Sequence, residues 1–449
     1  MPSEVVSSGC KVLKPEDLMK HTVEEFLNRH NLNPDRISMD DICNFFMSEM
    51  KAGLEGRDSS LAMIPSFCSP DVRPKVGESV IVIDAGGTNF RTCLVSFGSD
   101  LKPVISDFRK IRMPGATSTV SASEFFAVIA DELERLIDKS DRIGFCFSYA
   151  ADILPDHDGV PTMFSKEIKA PEVLGKHLGK EILAELSRRG HDVSKKKVMV
   201  MNDTVTTLLA AQARNIDGNF DGCIGFILGT GTNTAYIEKT ENITKLDPSI
   251  GISGNQIINV ESGCLDIHLG DIDRKFRSST KDPNLYGFEK MVSGAYLGPL
   301  AHMVIEQAIT EGVLSRQFAD AHAAYDSLST AELNAFLKED ESCTLSRCCK
   351  YCEDDYDVLM EILGSFISRA AKLTAANLAS AVLITDFGKD EDHPVLINAD
   401  GTTFHITAYL KSYTTEYLEA FLSEKGRRAV ITQIDDSPII GSAIGALTL

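Results

Sequence analysis

The sequence has few basic residues for its acidity: 45 Lys and Arg stand against 65 Asp and Glu, which gives a formal net charge of −20. Nonspecific binding to nucleic acid or to an anionic membrane needs a basic surface, so this balance argues against both. No apolar run approaches the length that spans a bilayer, and the first residues lack the basic and apolar segments of a secretory leader. We therefore expect a cytoplasmic protein with no membrane span and no nucleic-acid partner.

The cysteines do not indicate a disulfide framework. Their number, eleven, is odd, and Cys93, Cys146 and Cys223 lie in apolar runs, where thiols behave as small hydrophobic groups. A reducing compartment is therefore expected. Four further cysteines fall close together: Cys343, Cys348, Cys349 and Cys352. Their spacing matches no standard zinc pattern, so incidental thiols are the preferred interpretation, with a metal or redox role as the alternative.

No low-complexity linker divides the 449 residues, a length that allows two or three domains. Amphipathic runs typical of helices alternate with apolar runs typical of strands, which indicates an α/β architecture. Helices are predicted at 16–29, 40–51, 124–139, 205–213, 289–309, 365–381 and near the C-terminus from 441. Strands are predicted at 143–148, 198–201 and 395–397.

Two glycine-rich turns end in the same three residues, Gly-Thr-Asn. The first lies within Ile81 to Arg91 and the second within Ile224 to Asn233, and each joins two apolar runs. Both therefore predict tight hairpins with exposed backbone N–H groups. Glycine allows positive φ and close approach to an anion, and the hydroxyls of Thr88, Thr230 and Thr232 add donors. Two such turns facing each other are suited to hold a polyphosphate.

The first turn lacks the Gly-Lys-Ser/Thr ending of a P-loop and carries a carboxylate, Asp84, instead. An acid beside phosphates is explained by a divalent cation between them, because Mg²⁺ prefers one or two carboxylates together with substrate oxygens and water. The alternative is that Asp84 and the glycines only shape a hairpin, since both residue types are common in turns. The presence of two such turns favours the phosphate site.

Five motifs occur in one order: AGGTNFR at 85–91, MNDTV at 201–205, GTGTN at 229–233, NVESG at 259–263 and FEK at 288–290. With the later Asp400-Gly401-Thr402, the chain resembles the eukaryotic-type hexokinases, within the superfamily of actin and the heat-shock chaperone ATPases. The resemblance runs from about residue 63 to the C-terminus. The glycine turns alone also suit bacterial-type sugar kinases, but the short Cys/His zinc motif of that family is absent.

The resemblance implies a two-domain α/β fold of the actin-like (ribonuclease H-like) type, with a cleft between the domains. The large domain is expected to comprise residues 1–73 and 203–440, and the small domain residues 74–202 and 441–449. The implied reaction is transfer of the γ-phosphoryl of ATP, with Mg²⁺, to the 6-hydroxyl of a hexose such as glucose, mannose or fructose, as the first step of glycolysis. The sequence is compatible with a monomer or a homodimer.

By this resemblance, Asp203 is the general base that accepts the proton of the sugar hydroxyl, while a helix N-cap is its structural alternative. Asp84 would hold Mg²⁺ through water. Arg91 and Lys166 are the candidate cations for the transferring phosphoryl. The implied sugar ligands are Ser148, Ser165, Lys166, Asn202, Asp203, Asn233, Glu261 and Glu289. The implied ATP-binding residues are Asp84, Gly86, Gly87, Thr88, Asn89, Arg91, Gly229, Thr230, Gly231, Thr232, Asp400, Gly401 and Thr402.

The departures from the family pattern fall in the sugar loop. Ser-Phe-Pro of the family is here Ser148-Tyr149-Ala150, Thr-Lys-Gly-Phe is here 165–168 with the letters SKEI, and the family's loop tryptophan is missing. Two alternatives therefore stay open: a hexose-binding regulator with weak catalysis, and a kinase for a different sugar.

Overall fold

A computed structural model describes residues 15–164, 168–350 and 353–449. Its strands are β1 (Ile64–Pro65), β2 (Ser79–Gly86), β3 (Asn89–Phe97), β4 (Pro103–Arg112), β5 (Arg142–Phe147), β6 (Ala150–Ile153), β7 (Gly159–Met163), β8 (Lys197–Met201), β9 (Gly222–Leu228), β10 (Thr232–Lys239), β11 (Asn255–Asn259), β12 (Val395–Asp400) and β13 (Ala429–Thr432).

The helices are α1 (Pro15–Arg29), α2 (Met39–Leu54), α3 (Ala122–Glu134), α4 (Leu178–Arg188), α5 (Asp203–Arg214), α6 (Asp271–Ser279), α7 (Glu289–Val292), α8 (Leu297–Thr310), α9 (Arg316–His322), α10 (Thr330–Leu337), α11 (Thr344–Cys349), α12 (Glu353–Thr385), α13 (Thr402–Ile406), α14 (Leu410–Glu424) and α15 (Ser437–Ala446). Ser121 and Glu124 form a capping box at the start of α3, and this helix ends at Glu134, short of the predicted end at residue 139.

Two sheets repeat one topology. The first has the order β4-β3-β2-β5-β8, and the second has β11-β10-β9-β12-β13 with β1 added at the β11 edge. In each, three antiparallel strands are followed by two parallel ones. The glycine turns join the first two strands of each repeat, β2 to β3 and β9 to β10. Each predicted hairpin is therefore confirmed, and the turns occupy equivalent places.

Helices α5 and α15 lie between the two sheets and share one apolar core with them. This core contains Val82 of β2, Leu208 of α5, Ile257 of β11 and Ala443 of α15. The small residues of α15 allow close packing, since a Cβ on Gly441 would collide with the backbone oxygen of Thr206. The predicted C-terminal helix is confirmed, although it begins earlier, at Ser437.

The single helix predicted at 289–309 is wrong. The segment forms two helices, α7 and α8, which are separated at 293–296. At the break, the backbone N–H groups of Gly294 and Ala295 donate to the carbonyl oxygens of Gly229 and Thr230 in the second glycine turn, at 2.9 and 3.0 Å. The helix stops because these two donors bind the turn.

The domain boundaries, residues 74–202 with 441–449 against the rest, stay a prediction.

Candidate active site

The first glycine turn is a two-residue hairpin. Gly86 pairs with Asn89 at its base, and Gly87 and Thr88 form the exposed tip. Gly87 has φ +57°, in the left-handed region that favours glycine. The hydroxyl of Tyr149 donates to the carbonyl oxygen of Gly87 at 2.6 Å, so the residue that follows Ser148 holds the tip of this turn.

Asp84 and Arg91 are cross-strand partners below this tip. Nη1 of Arg91 lies 2.9 Å from Oδ2 of Asp84. Burial raises the pKa of Asp84, the guanidinium of Arg91 opposes that shift, and the negative charge of Asp400 adds to it. Arg91, the candidate phosphoryl cation, is thus paired with an acid in this state. The first and third turns lie close enough for their carboxylates to repel.

The second glycine turn has a different geometry. Leu228 pairs with Thr232, which leaves a three-residue loop, and neither Gly229 nor Gly231 has a positive φ. Glycine is required here for space, because a Cβ on Gly231 would lie 2.6 Å from Oε2 of Glu289. That same oxygen accepts a 2.9 Å hydrogen bond from the backbone N–H of Thr232.

Hydroxyl groups around the second turn are partly engaged within the protein. The Thr232 hydroxyl, expected as a phosphate donor, donates instead to the carbonyl oxygen of Ile227 at 3.0 Å. Thr230 is exposed at the tip, so its hydroxyl is accessible to a ligand.

The third turn packs against the second. Gly401 follows β12 with φ +111°, and a Cβ there would collide with the carbonyl oxygen of Leu228. The hydroxyl of Thr403 donates to the carbonyl oxygen of Gly229 at 2.8 Å, while Thr402 is exposed. The second and third turns therefore form one surface, and ATP binding there stays a prediction.

Asp203 is the first residue of α5, directly after β8. The cap of this helix is Asn202, whose Oδ1 accepts from the backbone N–H of Thr204 at 2.8 Å. The structural alternative for Asp203 as N-cap is therefore wrong. Burial raises the pKa of Asp203 to about 6, opposed by hydrogen bonding to the Ser148 hydroxyl and assisted by the charge of Glu261. Asp203 is a carboxylate at neutral pH with more than ordinary basicity.

Amides and one acid form a polar cluster beside Asp203. Nδ2 of Asn259 donates to Oε1 of Glu261 at 2.7 Å, and Nδ2 of Asn233 donates to Oδ1 of Asn259 at 2.6 Å and approaches Glu261 at 3.4 Å. Burial raises the pKa of Glu261, which also has φ +58° in the left-handed region. A non-glycine residue in that region is strained, and such strain is concentrated at functional sites.

Glu289 joins the second turn to this cluster. Burial raises its pKa to about 7; the hydrogen bond from Thr232 N–H opposes that shift, and the charge of Glu261 adds to it. The acids Asp203, Glu261 and Glu289 are thus brought together from three separate segments, and each carries a raised pKa.

A small cavity of about 20 Å³ lies beside this acidic group. Its lining combines Asn202, Asn259 and Glu261 with apolar and hydroxyl-bearing residues: Ile64, Ser66, Phe147, Tyr149, Ala151, Ile153 and Val205. Ser148 lies at the edge of the first turn, since a Cβ on Gly86 would be 2.9 Å from its Oγ. Ser165 and Lys166, the remaining predicted sugar-loop residues, lie outside the described residues.

Sequence reasoning missed three site residues. Asn259 was part of a quoted motif, but only the sheet shows its amide between Asn233 and Glu261. Tyr149 was noted as a departure, and its hydroxyl contact with Gly87 has no local signal. Cys146 is buried, as predicted for a core thiol, but a hydrogen bond from its side chain also lowers the pKa of Asp84, which places it beside the site.

The clustered cysteines show no metal-ligand arrangement in the described part of the chain. Cys343, Cys348 and Cys349 are buried at or in α11, and Cys343 caps that helix by accepting from Ser346 N–H. Cys352 lies outside the described residues. Across the described segments, no helix is both long and apolar enough to cross a membrane.

Two family models match the chain, both described as hexokinase, over residues 22–213 and 223–448. Human hexokinase-3 is 28% identical over 455 residues, which cover 95% of this chain and 47% of that protein. Hexokinase-7 of Oryza sativa subsp. japonica is 25% identical, with 90% of this chain and 92% of that protein covered. The chain thus spans about half the length of the human relative.

Solved structures share the fold. A hexokinase from Schistosoma mansoni complexed with glucose superposes with a TM-score of 0.73 at 23% identity, covering 96% of this chain and all of that one. A ROK hexokinase from Thermus thermophilus gives 0.51 at 14% identity, covering 83% and 98%. The expected two-domain actin-like fold class is confirmed. From its two matched regions, this chain belongs to the hexokinase family.

Proposed function

We propose that this chain transfers the γ-phosphoryl group of MgATP to the 6-hydroxyl of a hexose, with Asp203 as the general base. The observation that carries the proposal is the position of Asp203 at the start of α5, beside Ser148 and Glu261, with a pKa of about 6. A carboxylate of that basicity is deprotonated at pH 7 and accepts a proton more readily than an ordinary one.

The hexose would bind beside Asp203, at a cavity of only about 20 Å³ that would have to widen to admit a sugar. A sugar presents hydroxyls that both donate and accept, and the linked polar groups of Asn233, Asn259 and Glu261 offer both functions. Asn202 lines this pocket, Ser148 hydrogen-bonds to Asp203 beside it, and Ser165 and Lys166 would complete the site. Glucose is the first candidate because the structurally similar Schistosoma mansoni enzyme is complexed with it.

The three turns would hold the nucleotide. Gly87, Thr88, Thr230 and Thr402 are accessible at their tips, which suits donors to phosphate oxygens. Lys166 and Arg91 would neutralise the transferring group, which requires Arg91 to share its charge between Asp84 and the phosphate.

The residues present suit a magnesium ion. Asp84 is buried and is repelled by the nearby charge of Asp400, and a divalent cation held by Asp84 through water would offset that repulsion. Mg²⁺, when bound, neutralises charge on the phosphate oxygens. Asp84 is accordingly the proposed metal residue.

The two repeated sheets would act as two domains, residues 74–202 with 441–449 against the rest. Sugar bound between Ser148 on one side and Glu261 and Glu289 on the other would draw them together and exclude water before transfer. On this basis the chain would catalyse the entry of hexose into glycolysis.

A coupled assay of ADP release tests the proposal, with MgATP and, separately, glucose, mannose, fructose and a polyol. We expect ADP release that depends on the sugar, with one sugar phosphate formed per ADP. This activity should be abolished in Asp203→Asn. Sugar binding without turnover would instead support the regulator suggested by the altered loop. Turnover of only the polyol would support the different-substrate alternative.

A further inference from the structure

A cluster of two histidines and a glutamate lies outside the proposed active site. His302 and Glu306 are one turn apart on α8, and His322 is the last residue of α9. Their donor atoms all lie within 4.8 Å of one another, and this is the grouping with metal-ligand spacing found among the described residues.

The two imidazoles have unused nitrogen atoms. Nδ1 of His302 and Nδ1 of His322 are both buried without a hydrogen-bond partner. Nδ1 of His322 lies 3.0 Å from Oε1 of Glu306, so these two atoms already stand close to the spacing of two ligands on one ion. A buried polar nitrogen without a partner costs free energy, and Nδ1 of His302 beside this pair therefore calls for a ligand.

We propose that His302, Glu306 and His322 form a zinc site that joins α8 to α9. Two imidazoles and one carboxylate are a known ligand set for Zn²⁺, with a fourth position left for water. The spacing suits it, since ligand atoms about 2 Å from a tetrahedral ion stand a little over 3 Å apart. Glu306 is about half exposed, so its side chain is free to adjust by the remaining distance.

The chemistry of the site favours the bound form. The carboxylate supplies one negative charge, and the packed ring of Phe318 against His322 holds the imidazole in place. The structural alternative is a stack of aromatic rings that binds no ion. The inference does not depend on the proposed kinase activity.

Zinc binding is measured on chelator-treated protein by titration against a competing chromophoric chelator, without nucleotide or sugar. We expect one Zn²⁺ per chain and, with Co²⁺ as the spectroscopic probe, visible d–d bands without the near-ultraviolet charge transfer of a thiolate ligand. Saturation is also expected to raise the melting temperature by roughly 3–6 °C.

Glu306→Gln and His302→Gln are expected to weaken zinc binding by at least about tenfold each. Both positions are only partly buried, so the variants should fold, which circular dichroism checks. His393→Gln is the matched control, because His393 is exposed and paired with Asp390. No binding at tens of micromolar zinc, wild-type affinity in either ligand variant, or thiolate bands with Co²⁺ would each overturn the proposal.

Discussion

The two Gly-Thr-Asn turns have the same last three residues but different construction. In the first, two residues close the hairpin and Gly87 is needed for its backbone angle. In the second, three residues close it and Gly231 is needed for space beside Glu289. Identical short motifs therefore do not imply identical geometry, because the turn length and the neighbouring side chain decide what glycine does.

The turns also differ in what they contact. The first is held by Tyr149 and adjoins Ser148, on the side of the proposed sugar loop. The second is held by Glu289 and by the segment between α7 and α8, and it packs on the third turn at Gly401. We infer that the first turn couples phosphate to sugar, whereas the second belongs to the nucleotide side.

The largest effect is expected at Asp203, the proposed base of the reaction for which both turns would position the phosphate. Asp203→Asn removes the proton acceptor, and turnover should fall by about 10²–10⁴-fold in a steady-state assay. Asn202, not Asp203, caps α5, so folding should be retained. Asp100→Asn, an exposed position, is the control. A variant that binds hexose and keeps most of its rate would remove Asp203 from the mechanism.

The raised pKa of Asp203 predicts a pH dependence. As base it must be deprotonated, so kcat should fall about tenfold per pH unit below about 6. The free energy of unfolding changes with pH in the opposite direction to kcat. A carboxyl whose pKa is raised on folding destabilises the protein as pH rises from about 4 to about 6, and the cost stays constant above that.

Asp203→Asn should therefore be more stable than the parent at pH 7, by up to about 3 kcal/mol, and equal to it near pH 4. Denaturant melts at the two pH values measure this. Equal stabilities at both would show that the Asp203 carboxyl is not destabilised by its surroundings.

The difference in glycine function is tested by two alanine variants. Gly231→Ala should displace the Glu289 carboxylate from Thr232 and raise the KM for ATP about tenfold or more. Gly87→Ala meets no atom within 4 Å but must adopt φ near +57°, so its main effect should be a stability loss of about 1–2 kcal/mol. Steady-state kinetics and thermal melts measure the two effects. A stability loss without a change in KM for Gly231→Ala, or a raised KM without a stability loss for Gly87→Ala, would contradict these roles of the two glycines.

Substitutions of Glu261 and Glu289 should affect hexose affinity and ATP affinity differently. Glu261→Ala removes a partner of the sugar-side amides and should weaken hexose binding by about 1–3 kcal/mol with little change for ATP. Glu289→Ala leaves the Thr232 N–H unpaired and should weaken both ligands. Calorimetry with each ligand alone compares them, and identical profiles would mean that Glu289 does not support the nucleotide turn.

The smallest expected effect is that of Tyr149→Phe. It removes one hydrogen bond, to the Gly87 carbonyl, and keeps the ring packed against Phe147 and Phe164. We expect the loss of this hydrogen bond to cost about 1 kcal/mol in binding the ATP phosphates, which corresponds to a severalfold fall in kcat/KM for ATP. An unchanged kcat/KM for ATP would show that this hydrogen bond does not position the phosphate.

Much of the site was predictable because its signals are local. The hairpins follow from apolar runs interrupted by glycine, and the strand-to-helix junction at Asn202 and Asp203 follows from a polar pair between two periodic segments. The place of Glu289 was suggested by family resemblance, but its hydrogen bond to Thr232 was not, since the two residues are distant in sequence. Residues 165–167 of the sugar loop stay predictions.

The sequence by itself determined the α/β class and the two turns, because strand and helix periodicity and turn chemistry act over a few neighbouring residues. Asp203 as the candidate base came from the family resemblance of its motif. Only the tertiary structure decided where the helix after Glu289 breaks, since the carbonyl groups that bind Gly294 and Ala295 come from a remote hairpin. It also decided the basicity of Asp203. That pKa depends on the water removed by packing and on the charge of Glu261, which reaches the site from another sheet.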